Sequence, residues 1–168
     1  LGDVGLADMH QHLDAAEQQY RSALDLYPPG HAWRSATVFN LGRVHEARGA
    51  LEQAERHYRE ALEAQQHQYG PLHERVGIDH LHLGIVLRKR GRLSEAAGQL
   101  DQAGKVFTAA LPETHDRFAQ LWLAQADLAE AQGEPAAVRA LLQRALALRE
   151  RTLGADDART RAVRARLR

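Results

Sequence analysis

The chain has 168 residues, 44% of them hydrophobic and 26% charged, with a formal net charge of zero and no cysteine. That is enough apolar content for one domain with a sizeable core, and no overall field draws the chain toward nucleic acid or a membrane surface. Disulfides, thiolate metal sites and a cysteine nucleophile are excluded.

Only five prolines and 5% aromatics, amid abundant Ala, Leu, Glu, Gln and Arg, favour helix throughout. No apolar run approaches the ~18 residues of a membrane span and the N-terminus is not signal-like, so a cytoplasmic setting is expected. Basic charge is almost all Arg, with Lys89 and Lys105 the exceptions. That bias, with so much Ala, Leu and Gly, suits a GC-rich bacterial genome.

Taken from its start, the chain shows a motif before any element. Leu1-Gly2 matches Leu41-Gly42 and Leu83-Gly84, and the last two pairs are 42 residues apart. Because Leu41-Gly42 sits mid-helix, the chain reads as a fragment of something longer whose first helix is cut short. The segment 1–30 is irregular. Its spacing implies an extended turn at Met9, His10, Gln11 and His12 between two helical stretches.

Segments 31–72, 73–114 and 115–156 each hold two helices joined at a turn glycine: Gly49, Gly91 and Gly133. In the second of these, Ile78, Leu81, Leu83, Ile85, Val86 and Leu87 recur at helical spacing on two faces, as in a helix packed on both sides. Gly91 ends it, since a residue without Cβ accepts a left-handed helix terminus. Leu93, Ala96, Ala97, Leu100, Ala103 and Val106 form its partner. Pro112 and Glu134-Pro135 mark further starts. Gly42 and Gly84 are expected to face Ala54 and Ala96, letting the paired axes approach at the short end of ~8–10 Å. Gln125 stands in the apolar slot of Leu41 and Leu83, and partial exposure is expected there. Residues 157–168 copy a first helix without its partner and read as a capping helix, acidic at its start and Arg-rich at its end, which suits the helix dipole.

A repeat that cannot bury its own apolar face stacks on copies of itself. Leu-Gly, a turn Gly, Ala, an aromatic or Leu, then Ala resembles the tetratricopeptide repeat, over nearly the whole chain. The 42-residue period, with Tyr69-Gly70-Pro71-Leu72-His73 between repeats, resembles the kinesin-light-chain subtype found in many bacterial signalling proteins. The resemblance implies an all-α fold, a right-handed α-solenoid of antiparallel helix pairs forming a single domain over 1–168. It also implies a non-catalytic protein–protein interaction module without cofactor, within a larger bacterial signalling or regulatory protein. The partner is a protein or peptide, with no nucleic acid, no membrane and a homo-oligomer as one option. Two alternatives stand beside this: a peptide-signal sensor domain of a transcriptional regulator, and a self-association module.

In that family the first helix of each repeat lines a concave face. The resemblance therefore implies a binding surface of Phe39, Asn40, Arg43 and Glu46, then His82, Ile85, Arg88 and Lys89, then Leu123, Asp127 and Glu130. Asn40 is present, but the Lys–Asn set of the family's terminal-carboxylate clamp is not. The surface is basic in the middle and acidic toward the last repeat.

The histidines read as structure. His31, His73 and His115 recur at the period with Asp157 in the fourth slot, each just before a first helix, and are expected to serve free backbone groups there. Equivalent residues of neighbouring repeats stand ~8–10 Å apart, too far for one metal with ligands at ~2 Å. His80 and His82 point to different faces of a helix, and His10 with His12 lacks a completing acid or thiol. Gly2-Asp3-Val4-Gly5 lacks the third Gly, the Lys and the strand of a phosphate loop.

Overall fold

The computed structural model describes the backbone of residues 2–31 and 33–168 and the side chains of 11–31 and 33–168. Among the described residues there are eight helices, which make up 82% of the chain's length, and no strand. They fall into two compact units, Leu1–Gly70 and Pro71–Arg168.

The first unit holds α1 (Gly2–Leu26), α2 (Arg34–Ala47) and α3 (Leu51–Tyr69). The turn expected at residues 9–12 is absent: α1 runs unbroken for 25 residues. Nothing in Met9-His10-Gln11-His12 breaks a helix, since it contains neither Gly nor Pro. The first segment is therefore one helix rather than a pair. α1 packs on α2, and α2 on α3. The second unit holds two pairs, α4 (Glu74–Lys89) with α5 (Leu93–Ala110) and α6 (Asp116–Gln132) with α7 (Pro135–Leu153), followed by α8 (Ala158–Arg166). Within it α5 also packs on α6, α6 on α4 and α7 on α8.

The turn glycines behave alike. Gly49, Gly91 and Gly133 have φ of 75°, 76° and 75°, the left-handed region that side chains disfavour. After each, the next amide bonds back to a carbonyl in the last turn of the helix: Ala50 to His45, Arg92 to Leu87 and Glu134 to Ala129, all at 2.9 Å. This six-to-one bond is the Schellman closure, which satisfies carbonyls the helix leaves free.

The glycines inside first helices mark close approach, with a bulky side chain nearer than the expected alanine, although Gly84 does also meet Ala96. A Cβ on Gly42 would lie 2.7 Å from the Tyr58 ring, and one on Gly84 would lie 2.8 Å from Leu100 Cδ2 and 3.3 Å from the Ala96 carbonyl oxygen. The contact is with the bulky residue four positions beyond the small one. Tyr58, Leu100 and Leu142 are buried on the second helices, one turn after Ala54, Ala96 and Val138. Gln125 is half-buried, as expected for a polar residue in that slot.

Candidate partner-binding surface

The first helices carry the residues expected to face a partner, and each unit presents its own set. On α2, Arg43 is exposed while Phe39, Asn40 and Glu46 are half-buried. Phe39 lies against the buried Tyr58, ring centres 5.2 Å apart, and the Tyr58 hydroxyl donates to Glu46 Oε2 at 2.8 Å. Phe39 and Glu46 thus hold Tyr58 in place as well as reaching the surface.

In the second unit, His82, Ile85 and Arg88 are half-buried on α4 and Lys89 is exposed. On α6, Leu123 and Asp127 are half-buried and Glu130 is exposed. Arg88 Nη2 lies 3.8 Å from Asp127 Oδ2. From α8, Arg166 Nη2 lies 2.7 Å from Asp127 Oδ1 and 3.7 Å from Glu130 Oε2. The acids at the last repeat are therefore met by a cation from the C-terminal helix, which sequence reasoning did not find. Partly exposed pairs of this kind contribute ~0–1 kcal/mol each, so the network orders side chains more than it stabilises the fold. Arg164 and Arg159 also pair with acids: Arg164 Nη2 is 2.7 Å from Glu150 Oε1, and the exposed Arg159 has its Nη1 3.8 Å from Asp116 Oδ2. Asp116 in turn accepts from the buried Arg149 at 3.0 Å, joining α6 to α7.

Two of the periodic histidines cap helix starts: His73 Nδ1 accepts from the Arg75 amide and His115 Nδ1 from the Arg117 amide, each at 3.2 Å. Asp157 Oδ1 accepts from the Arg159 amide at 2.8 Å in the same way. His31 Nδ1 accepts from the Trp33 amide at 3.2 Å, but in the turn ahead of α2, whose N-cap Trp33 makes no side-chain cap bond. Asp157 is held below the ordinary carboxylate range by its hydrogen bonds from Arg159. His80 Nδ1 meets Gln99 Oε1 at 2.7 Å, and burial pushes its pKa down. The side chain of His10 lies outside the described residues. Among those described, no three His, Asp or Glu side chains converge as a metal site.

Two buried polar groups escaped the sequence reading. His45 and His57 stack between α2 and α3 with ring centres 5.2 Å apart, and His45 Nε2 lies 3.9 Å from Glu17 Oε1 of α1. Burial lowers the pKa of both histidines. Burial alone would raise the carboxyl of Glu17, but the hydrogen bond and charge of Arg48 outweigh it and hold it low. Asp79 on α4 stands in the slot filled by Thr37, Leu121 and Val163, and burial pushes its carboxyl up to about 8 against the pull of Arg75. No periodic feature announces an acid at this buried position.

Two tetratricopeptide repeat profiles match the chain, one over residues 34–109 and one over 119–159, together more than half of it. The chain belongs to the tetratricopeptide repeat family. Among solved structures, a kinesin light chain of Podosopora anserina with nearly identical TPR-like repeats matches at a TM-score of 0.70 and 20% identity, covering 97% of this chain and 77% of that one. A single-site variant of that protein gives 0.71 at the same identity and coverage. BtubC (BKLC) from P. vanneervenii matches at 0.71 and 20% identity, covering 94% of this chain and 62% of that one. At this identity the likeness shows the fold. No curated protein sequence matches the chain. Tetratricopeptide repeats mark a protein–protein interaction module, and members of the family are generally non-catalytic scaffolds. No helix among the described residues is long and apolar enough to cross a membrane.

Proposed function

We propose that this tetratricopeptide repeat chain is the partner-binding region of a cytoplasmic bacterial signalling or regulatory protein, and that an extended protein segment lies along its first helices. The observation that carries the reading is the composition of the α4 and α6 faces. Ile85 and Leu123 leave apolar surface half-open beside the exposed Lys89 and the Arg88–Asp127 pair. An extended segment can set apolar side chains on the first two and an acidic group beside Lys89 and Arg88. Arg grips a carboxylate in a bidentate way and Lys adds a point charge.

The test is a charge reversal read against a fold control. Arg88→Glu with Lys89→Glu should weaken a bound partner segment at least about tenfold, the scale of one charge-assisted hydrogen bond. Arg56→Glu on the exposed side of α3 should do little. Because Arg88 faces Asp127, Lys89→Glu alone, which leaves that pair in place, should weaken binding in the same direction, and circular dichroism of both variants separates lost binding from lost order. Equal effects from the α3 and α4 reversals would mean the wrong face has been chosen.

A further inference from the structure

Departures from the repeat register gather at one place in the second unit. Gly104 stands where the equivalent positions hold Leu62 and Leu146. Gln125 stands where they hold Leu41 and Leu83, and Trp122 where they hold Val38 and His80. All three line a single cavity of about 550 Å³ between α5, α6 and α7. The loss of a leucine side chain at Gly104 opens the space. An added Cβ there would meet only Leu121 Cδ2, at 3.3 Å. Phe118 and Trp122 form an aromatic wall with ring centres 6.0 Å apart.

Arg144 and Arg151 stand at the rim, seven residues apart on α7 and so about 10 Å along its axis. The Arg144 guanidinium lies over the Trp122 ring, 4.4 Å from its centre. Among the described residues neither arginine holds an ion pair, whereas Arg149 between them is tied to Asp116. Glu113 is the one acid of the lining. An open pocket of this size, with an aromatic wall, a polar rim and two exposed arginines, one of them stacked on Trp122, has the chemistry of an interaction hot spot, where Trp and Arg are enriched.

We infer that this cavity is a second docking site, taking a large apolar side chain of a protein partner whose flanking Asp or Glu residues meet Arg144 and Arg151. The inference rests on the reading of the chain as an interaction module, but it uses the second-helix side of α5 and α7 instead of the first-helix row. The occupant is a protein segment and not a nucleic acid, because two arginines two turns apart on one helix, beside a hole with an aromatic wall, suit spaced carboxylates and a side chain better than a continuous phosphate backbone, which calls for a run of cations.

The two tryptophans provide a local readout, since Trp33 lies in the first unit and Trp122 in the cavity wall. A random 12-residue peptide library selected on the full chain is expected to enrich a large apolar residue next to Asp or Glu. Binding of such a peptide should shift the Trp122 indole N–H resonance and leave that of Trp33 in place. Gly104→Leu, which fills the hole, should abolish binding. Arg144→Glu/Arg151→Glu, which leaves the core untouched, should weaken it at least about tenfold. Circular dichroism checks that both variants stay folded, and if Gly104→Leu does not fold the arginine pair decides. Peptides that leave Trp122 unmoved, or that bind the arginine variant as well as wild type, overturn the site. If such peptides instead depend on Arg88 and Lys89, the first-helix surface stands and the cavity alone falls. If no peptide is enriched, both fall.

Discussion

Gly84 and Gly98 allow one substitution to be read in two environments. Both are helix-interior glycines, Gly84 in α4 and Gly98 in α5. Replacing either by Ala gains ~1 kcal/mol of helix propensity. At Gly98 a new Cβ meets nothing within 4 Å. At Gly84 it falls 2.8 and 2.9 Å from Leu100 Cδ2 and Cγ, with the Ala96 carbonyl at 3.3 Å. Leu100 is fully buried and its Cγ is anchored to the helix, so the side chain cannot swing clear. Overpacking of this kind costs ~1–3 kcal/mol. Gly98→Ala should therefore stabilise by ~1 kcal/mol, and Gly84→Ala should be neutral or destabilise by up to ~2 kcal/mol.

The propensity gain is common to both variants, so the difference between them isolates the packing term. At ~2–4 °C per kcal/mol for a domain of this size, the melting temperatures should separate by at least a few degrees, with Gly84→Ala the lower. Gly84→Leu should fall further. Urea and thermal unfolding followed by far-UV circular dichroism measure this directly. A Gly84→Ala protein as stable as Gly98→Ala, or an unchanged melting point for Gly84→Leu, would refute the close-approach argument and with it the physical meaning given to the periodic glycines.

Three further outcomes follow from the polar groups. His115→Ala should lose ~1 kcal/mol of stability, the usual worth of an N-cap, while His115→Asp, which copies Asp157, should not, as unfolding midpoints will show. Asp79, with its carboxyl raised from 3.8 to about 8, binds its proton more tightly folded than unfolded. Stability should accordingly fall as pH rises from about 4 to about 8, and Asp79→Asn should flatten that slope in denaturation measured across the range. His45 and His57 have folded pKa values below their ordinary 6.5. Their contribution is present above that value and lost as pH falls through and below it, so His57→Phe, which keeps the stacked ring without the proton site, should reduce the loss of stability between pH 7 and 5.

What could be read from the chain beforehand divides along a physical line. A turn that needs φ near 75° and a helix crossing too close for a Cβ each admit few residue types, so they recur visibly at Gly49, Gly91, Gly133, Gly42 and Gly84. A helix cap is nearly as restrictive, which is why His73, His115 and Asp157 were legible as one role. Long side chains work differently. Arg166 reaches Asp127 and Arg149 reaches Asp116 across helices, and an arginine with several rotatable bonds can serve such a bond from many positions. No period marks these contacts. α1 shows the converse: a length difference between repeats suggests a loop at residues 9–12, yet with no Gly or Pro there the helix continues.

The same division explains why the cavity by Trp122 was missed although one of its walls was noticed. Gln125 stood out as a polar residue in an apolar slot, and considered alone it allowed only partial exposure as an account. In the sequence Gly104 is one small residue among many in a helix, and Trp122 one apolar residue among many. Each departure is tolerable by itself: a Gly costs ~1 kcal/mol in a helix, and a Gln can turn its amide to water. They become related only when the fold brings positions 104, 122 and 125 to one surface, where a missing leucine, an added ring and an amide leave a single open volume. In a repeat array the consensus positions report how the chain folds. The positions where one repeat breaks from its neighbours, once they are found to meet in space, are where a binding function has room to be written.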